Sequence, residues 1–383
     1  MNALAEIIRD EAARRGVLPF ARFMELALYH PALGYYETPR HGPGRRGDFY
    51  TSVSTGELFG QLLACQFAGW LEAECGNQKS EVRIVEAGAH DGKLAADILD
   101  WLRIHRPKLF DQIEYGIIEP SDRRQEWQRE TLKTFSNVRW FSRFNDSTIQ
   151  RFNGIIFSNE LLDAFPVHRF GWDAKGKTWF EWGVAVEGDK FIWAKIEKSE
   201  VRSQKSESDL PASSFQLPAS LMEVLPDGYT IEASPAAENW WREAAAVLAR
   251  GKLLAIDYGF TADEMFSPAR TRGTLRAYFR HHVTDDLLAN PGEQDLTAHV
   301  NFSAIQNAGE DAGLTTDFLG SQAKFLVDIL ATAEKNKSFG ELVASKRSEA
   351  GWNAKQTRQF QTLTHPEHLG RAFRVLIQSR RSS

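Results

Sequence analysis

The chain has 383 residues, of which 42% are hydrophobic and 25% charged, with a formal net charge of -5 at pH 7. That is enough for one large core or two smaller ones. It leaves no basic stripe for a nucleic-acid partner, since Arg45-Arg46 and Arg380-Arg381 stand apart as short clusters. No apolar run reaches the length of a membrane span, and the opening Met-Asn-Ala-Leu-Ala-Glu-Ile-Ile-Arg-Asp-Glu is a mixed-charge amphipathic segment unlike a targeting sequence, so a cytoplasmic protein is expected. Cys65 and Cys75 make neither a disulfide framework nor a zinc site.

Residues 3 to 15 and 20 to 29 read as two amphipathic helices separated by Gly16 and Pro19. Gly34-Tyr35-Tyr36 follows, then a loop rich in Gly, Pro and Arg that leads into Asp48-Phe49-Tyr50-Thr51-Ser52. Its tyrosines, aspartate and hydroxyls suit a lid over a polar ligand or an exposed loop. Thr55 to Cys75 predicts a long helix with Leu58, Phe59, Leu62, Leu63, Phe67 and Leu71 facing the core.

Val82 to Asp100 predicts a buried strand, a glycine turn and the opening of a helix, with Gly88 and Gly92 bracketing Ala89, His90 and Asp91. Glycine lets backbone come close to a ligand, and the helix start adds free N-H groups and a positive dipole end. Glu86 at the strand end suits a cationic ligand such as S-adenosylmethionine (SAM). With Asp91 it would repel the pyrophosphate of a dinucleotide, whose Gly-x-Gly-x-x-Gly fingerprint is absent. Gln112 to Glu119 predicts a second strand ending in an acid, followed by Pro120-Ser121 and a polar helix to about Lys133. Glu119 stands where ribose hydroxyls are bound in doubly wound sheets.

Asn137 to Phe141 predicts a third strand and Gly154 to Phe157 a fourth, which runs into Ser158-Asn159-Glu160-Leu161-Leu162-Asp163-Ala164-Phe165-Pro166. Strand and helix alternate as in a parallel, doubly wound sheet, whose ligand sits outside the carboxyl ends of the strands. Asn159, Glu160 and Asp163 fall there, as site residues or as the capped start of a helix. Val167 to Lys198 alternates aromatic and polar residues as an antiparallel meander. Ser199 to Pro218 reads as a flexible connection. The helix Pro235 to Arg250 and the strand Gly251 to Asp257 return to the α/β pattern, with Asp257-Tyr258-Gly259 at another strand end. His281, His282 and His299 match no metal-ligand spacing and read as hydrogen-bonded loop residues. Helices from Ser303 to about Thr357 and a strand near Phe373 to Ile377 complete the chain.

Several stretches in one order resemble the MidA-like SAM-dependent methyltransferases, whose mitochondrial members assist assembly of respiratory complex I by dimethylating an arginine of a partner subunit. They are Gly34-Tyr35-Tyr36, Gly47-Asp48-Phe49 with Thr51-Ser52, Leu58-Phe59-Gly60, Asn159-Glu160 with Asp163-Ala164-Phe165-Pro166, Asp257-Tyr258-Gly259, the run Gly273 to Tyr278 and the run Pro291 to Val300. The resemblance implies an α/β fold: a doubly wound, mostly parallel seven-stranded class I methyltransferase (Rossmann-like) sheet with an N-terminal helical cap and an inserted meander. The corresponding division is 1-79 for cap and lid, 80-166 for the first part of the SAM-binding domain, 167-227 for the insertion, and 228-383 for the remainder with substrate-side loops.

The cofactor implied is SAM, assigned to Glu86, Gly88, Ala89, His90, Gly92, Glu119, Pro120, Asn159, Thr51 and Ser52. Glu160, Asp163, Asn159 and Asp48 are the catalytic candidates, and Tyr35, Tyr36, Asp257, Tyr258 and His299 the substrate-side ones. Glu160 and Asp163, three apart, would share one helical face and hold an acceptor guanidinium. The acceptor is expected to be an arginine of a partner protein, with a small molecule or another side chain as the alternative. No metal, nucleic acid or membrane is expected, and a homodimer is allowed. Two departures stand out. His90 occupies a position where the family has glycine, and Val53-Ser54 replaces the family's Pro-Glu after the Thr-Ser pair. His90 is also the argument for a third reading, a non-catalytic binding protein that kept the fold.

Overall fold

The computed structural model describes residues 2–38, 51–75, 82–145, 149–196, 222–280, 282–335 and 352–381. The chain forms two compact units, each assembled from three segments. One takes His41–Leu161, Trp241–Gly259 and Gln306–Ser383; the other takes Met1–Arg40, Leu162–Trp240 and Phe260–Ile305. The expected cap of residues 1-79 is therefore not one piece. The apolar faces of its first two helices pack on the meander, whereas Leu58, Phe59, Leu62 and Phe67 pack on the large sheet.

The first unit is built on strands β1 (Val82–Ala87), β2 (Ile113–Ile118), β3 (Val138–Phe141), β4 (Phe152–Asn159), β5 (Leu248–Phe260), β6 (Thr315–Ser321) and β7 (Phe373–Arg380). Their order across the sheet is β6-β7-β5-β4-β1-β2-β3. From β5 to β3 all neighbours are parallel, and β7 is antiparallel to both of its neighbours. The fold is Rossmann-like and mostly parallel. Runs such as Ile155-Ile156-Phe157 and Leu253-Leu254-Ala255-Ile256 are fully or almost fully buried, as befits strands covered on both faces.

Helices α1 (Leu58–Cys75) and α2 (Lys93–His105) supply much of the cover. Leu62, Phe67, Ile98 and Leu102 join Ile84, Tyr115 and Phe157 in one core, each large side chain contributing about 1.5 to 3 kcal/mol. The two helices approach so closely that a Cβ on Gly60 would lie 2.6 Å from the Cβ of Asp97. That contact gives the glycine of Leu58-Phe59-Gly60 its physical reason. The remaining helices used below are α3 (Asp122–Thr131), α4 (Gln322–Lys335) and α5 (Ala354–Thr364).

Three local expectations shift. The helix expected from Thr55 starts at Leu58, after a 3-10 turn over Val53–Thr55. β6 arises in a stretch read as helical, where an edge strand with polar residues gives no clear period. The helix from Pro235 ends at Val247, and β5 begins at once.

In the second unit, Leu18–Pro19, His168–Asp173, Thr178–Glu187, Lys190–Ile196 and Thr230–Ala233 form an antiparallel sheet. The expected meander is its centre. Helices Ala3–Arg15 and Phe20–Tyr29 pack on it, with Phe20 4.9 Å from Trp193 and Phe23 5.6 Å from Phe191 between ring centroids. Its aromatic residues therefore serve packing. A small sheet joins Arg276–Phe279 to His282–Thr284 and Asp295–Thr297. Among the described residues no helix is long and apolar enough to cross a membrane.

Candidate active site

In the large sheet the chain moves outward from β1 to β2 and β3, then returns to the other side of β1 as β4. That reversal opens a crevice at the carboxyl ends of β1 and β4, where Ala87 pairs with Ser158. The turn after β1 and the residues Asn159 to Leu161 at the end of β4 start from there.

After β1, Gly88, His90 and Gly92 have φ of 74°, 48° and 84°, the left-handed region in which glycine is at ease and other residues are strained. Gly92 N-H closes the turn on Ala89 O at 2.7 Å, and α2 starts at the next residue. Ala89 places its methyl in the core, so only its backbone can serve a ligand. His90 adopts the backbone that a glycine would, and its imidazole is 48% exposed with Nδ1 3.8 Å from Asp91 Oδ1. The departure from the family pattern is thus absorbed by sending the side chain to solvent. His90→Gly is expected to bind SAM at least as tightly as the parent, with relief of about 1 kcal/mol of strain offset by the freer unfolded chain. A tenfold loss of affinity in calorimetric titration, about 1.4 kcal/mol, would instead make the imidazole a contact.

Glu86 is 2% exposed and accepts a 2.7 Å hydrogen bond from Tyr115 OH through Oε2. Burial pushes its carboxyl up to about 8, with the Tyr115 bond opposing and Asp91 reinforcing the rise. Glu119 is 1% exposed. Its Oε1 accepts from Ser121 N-H and lies 3.0 Å from the Arg124 guanidinium, and its Oε2 accepts from Gln128 Nε2. The same Gln128 amide donates to His90 O and accepts from Trp140 Nε1, so α3 ties the turn to the end of β2. Pro120 is exposed.

Tyr115, Arg124 and Gln128 escaped the sequence reading. A tyrosine inside an otherwise apolar strand needs an acceptor when buried, and that signal could have found Tyr115. No comparable signal marks Arg124 or Gln128.

The stretch after β4 is not the helix that would have put Glu160 and Asp163 on one face. Asn159 ends the strand, Glu160 has φ 52°, and a 3-10 turn covers Leu162–Ala164. The reason is tertiary: Glu160 N-H donates to Ile256 O at 2.9 Å and Leu161 N-H to Asp257 Oδ2 at 3.1 Å, bonds to β5 in place of a helical ladder. Glu160 Oε1 accepts from Ser52 N-H at 3.1 Å and from Asn159 Nδ2 at 3.0 Å. Burial first, and then Asp257, push the Glu160 carboxyl up to about 8 against those two bonds. Asp257 is fully buried, with Oδ1 accepting from Tyr258 N-H. The Tyr258 ring lies 4.0 Å from that of Phe373. Thr51 and Ser54 bond each other. Asp48, His281 and the connection Ser199 to Pro218 lie outside the described residues.

Tyr35, Tyr36, Asp163 and His299 belong to the second unit. Tyr36 OH donates to Asp295 Oδ1 at 2.9 Å, and burial followed by the charges of Asp295 and Asp163 holds that phenol well above its usual range. Tyr35 meets Tyr36 edge-on at 5.2 Å. Asp163 is buried and its carbonyl accepts from Ala298 N-H. His299 stacks on Phe260 at 4.8 Å, and burial, with Arg276 adding, lowers it to about 4, so it is neutral at physiological pH.

Two buried polar atoms at the crevice, Ser158 Oγ and Asn159 Oδ1, have no hydrogen-bond partner among the described residues. Unpaired buried groups are costly and point to a missing partner. Together with a buried acid at the end of β1 and a turn whose backbone carries no Cβ at Gly88, they fit a ligand bearing polar groups and positive charge, as SAM does.

A family profile described as "Putative S-adenosyl-L-methionine-dependent methyltransferase" matches residues 62–319. A solved structure from Burkholderia thailandensis, bound to S-adenosyl-homocysteine, is 33% identical with a TM-score of 0.78, covering 99% of this chain and 92% of that one. A Caenorhabditis elegans relative named protein arginine methyltransferase NDUFAF7 homolog, mitochondrial, is 25% identical over 81% of this chain and 72% of its own length. Its Drosophila melanogaster counterpart, with the same name, is 27% identical over 82% and 71%. The cytoplasmic expectation is corrected by these names, which are mitochondrial.

Proposed function

The chain belongs to the MidA-like family of S-adenosyl-L-methionine-dependent methyltransferases, and from that premise we propose that it methylates an arginine of a partner protein. The observation that carries the acceptor is the Glu160 carboxyl group, oriented by Ser52 N-H and Asn159 Nδ2 beside Asp257 and pushed up to about 8. Such a group is completed by a cation, and a guanidinium is always charged, planar and suited to a carboxylate. The names of the curated relatives support the same acceptor.

SAM supplies a methyl group on a positively charged sulfur. The protein's share is orientation, which carries much of the barrier reduction in a displacement of this kind. Glu160 holds the guanidinium, keeps its charge away from the nitrogen that is to be methylated, and takes the proton that this nitrogen gives up. Asn159 and Ser52 fix the carboxyl for that task. We assign Glu86, Glu119, Ser158, Asn159 and the turn from Gly88 to Gly92 to the cofactor. Tyr36, Asp163 and His299 have no role in this proposal.

The test is incubation with methyl-labelled SAM and cell extract, followed by hydrolysis of the labelled protein. Label in methylarginine is expected. Label confined to another amino acid or to small molecules would sink the arginine reading.

A second expectation concerns pH. With Glu86 at about 8, the free protein holds a proton there at pH 7, and a cationic ligand favours the ionised form. Binding therefore releases a proton, and SAM affinity should rise from pH 6 to about 8, by up to tenfold per pH unit, then level off. Calorimetry in two buffers of different ionisation enthalpy measures that release directly. Binding without proton release at pH 6.5 would remove Glu86 from the cofactor's contacts.

A further inference from the structure

The Glu160 carboxyl accepts from the backbone amide of Ser52, a residue whose hydroxyl bonds a glutamine far along the chain. Ser52 sits in a turn closed by hydroxyls: Thr51 N-H donates to Ser54 Oγ, Ser54 N-H to Thr51 Oγ1, each at 3.0 Å, and Thr55 Oγ1 to Ser52 O at 2.8 Å. Ser52 and Gln322 are both fully buried. While Ser52 N-H meets Glu160 Oε1, its hydroxyl donates to Gln322 Oε1 at 3.1 Å. Gln322, the first residue of α4, donates through Nε2 to Leu363 O in α5 at 3.0 Å. Its amide is thereby oriented, with the acceptor end toward Ser52.

We propose that Gln322 is a positioning residue for Glu160, acting through Ser52. With the hydroxyl anchored on an oriented amide, the turn cannot rotate, and its N-H stays on the carboxyl oxygen. Without the anchor, a buried hydroxyl must seek another acceptor, and the turn moves with it. The proposal rests on the reading above for the use made of Glu160, although the bonds themselves do not.

The experiment follows Glu160 through its ionisation. Melting temperatures are measured from pH 5 to 10 for the parent and for Glu160→Gln, each with and without Gln322→Leu. Asp257 of β5, the charged neighbour of Glu160, is present in all four. The gap between Glu160 and Glu160→Gln proteins should widen with pH and level off where native Glu160 has ionised, near 8 in the parent. In the Gln322→Leu background the levelling point should move up by about half to one pH unit, because the carboxylate has lost a fixed donor. Ser52→Ala, which deletes only the hydroxyl, should move it in the same direction and carries the test if Gln322→Leu fails to fold. Melting temperatures lowered equally at every pH, with the levelling point unmoved, would overturn the proposal and leave Gln322 a packing residue. A Glu160→Gln protein that methylates arginine normally would instead sink the proposed role of Glu160, and the levelling point would still decide that of Gln322.

Discussion

Glu160→Gln is expected to cripple methyl transfer while making the protein more stable above pH 8. The substitution keeps the shape, and the amide oxygen can still accept from Ser52 N-H. It removes the charge that a guanidinium needs, a loss of about 2 to 5 kcal/mol for one partner of a desolvated pair. That corresponds to a rate lower by roughly thirtyfold to several thousandfold. Stability moves the other way. Burial raises the native carboxyl from 4.5 to about 8, so the unfolded chain releases a proton that the folded one retains. The resulting cost is absent below pH 4.5, grows through the interval, and is complete above about 8. Scanning calorimetry at pH 4.5 and 8.5 should show nearly equal melting temperatures at the first and a higher one for the variant at the second. A melting temperature that falls at pH 8.5 along with the activity would mark Glu160 as structural.

Gly88→Val is expected to abolish measurable SAM binding. At φ 74° a β-branched residue is strained, at about 1 to 3 kcal/mol. A Cβ there would also stand 2.9 Å from Leu161 Cδ1, next to Glu160. The turn must then either shift or push its neighbour into the crevice. An affinity in the micromolar range, about -8 kcal/mol, should weaken by more than about a hundredfold, with the sheet still folded by circular dichroism. Unchanged affinity would place the cofactor elsewhere.

The strand, turn and helix from Val82 to His105 were legible because three local signals agree: a short apolar run, glycines, then a helical period. The mostly parallel sheet followed from the alternation of strand and helix, and the antiparallel meander from the alternation of aromatic and polar residues. Asn159 to Asp163 misled because Asn-Glu-Leu-Leu-Asp looks like a capped helix, whereas the amides of Glu160 and Leu161 are taken by β5, about a hundred residues away. Gln128 and Gln322 were invisible for a related reason. An amide in a helix shows nothing in sequence of the strand end or turn that it will bond, and the partners of Gln322 lie 270 and 41 residues away. His90 was read as a departure from the family's glycine, but the sequence could not show that it takes a φ of 48°, in the region a glycine adopts with ease.

The position of β7 governs how this sheet can be made. It lies between β5 and β6, yet it follows both of them in the chain, so its two neighbours have no shared partner until residues 373–380 have been synthesised. β4, at the crevice, likewise waits for β5, whose strand begins at Leu248. Pairings between strands so distant in sequence must bear the entropy of closing long loops before they gain any contact. On the ribosome the carboxyl ends of β1 and β4 can therefore meet early, but the sheet that gives them a fixed geometry closes only once β7 has been made. Until then its apolar strands and open edges stay uncovered, the condition in which incomplete chains are prone to aggregate.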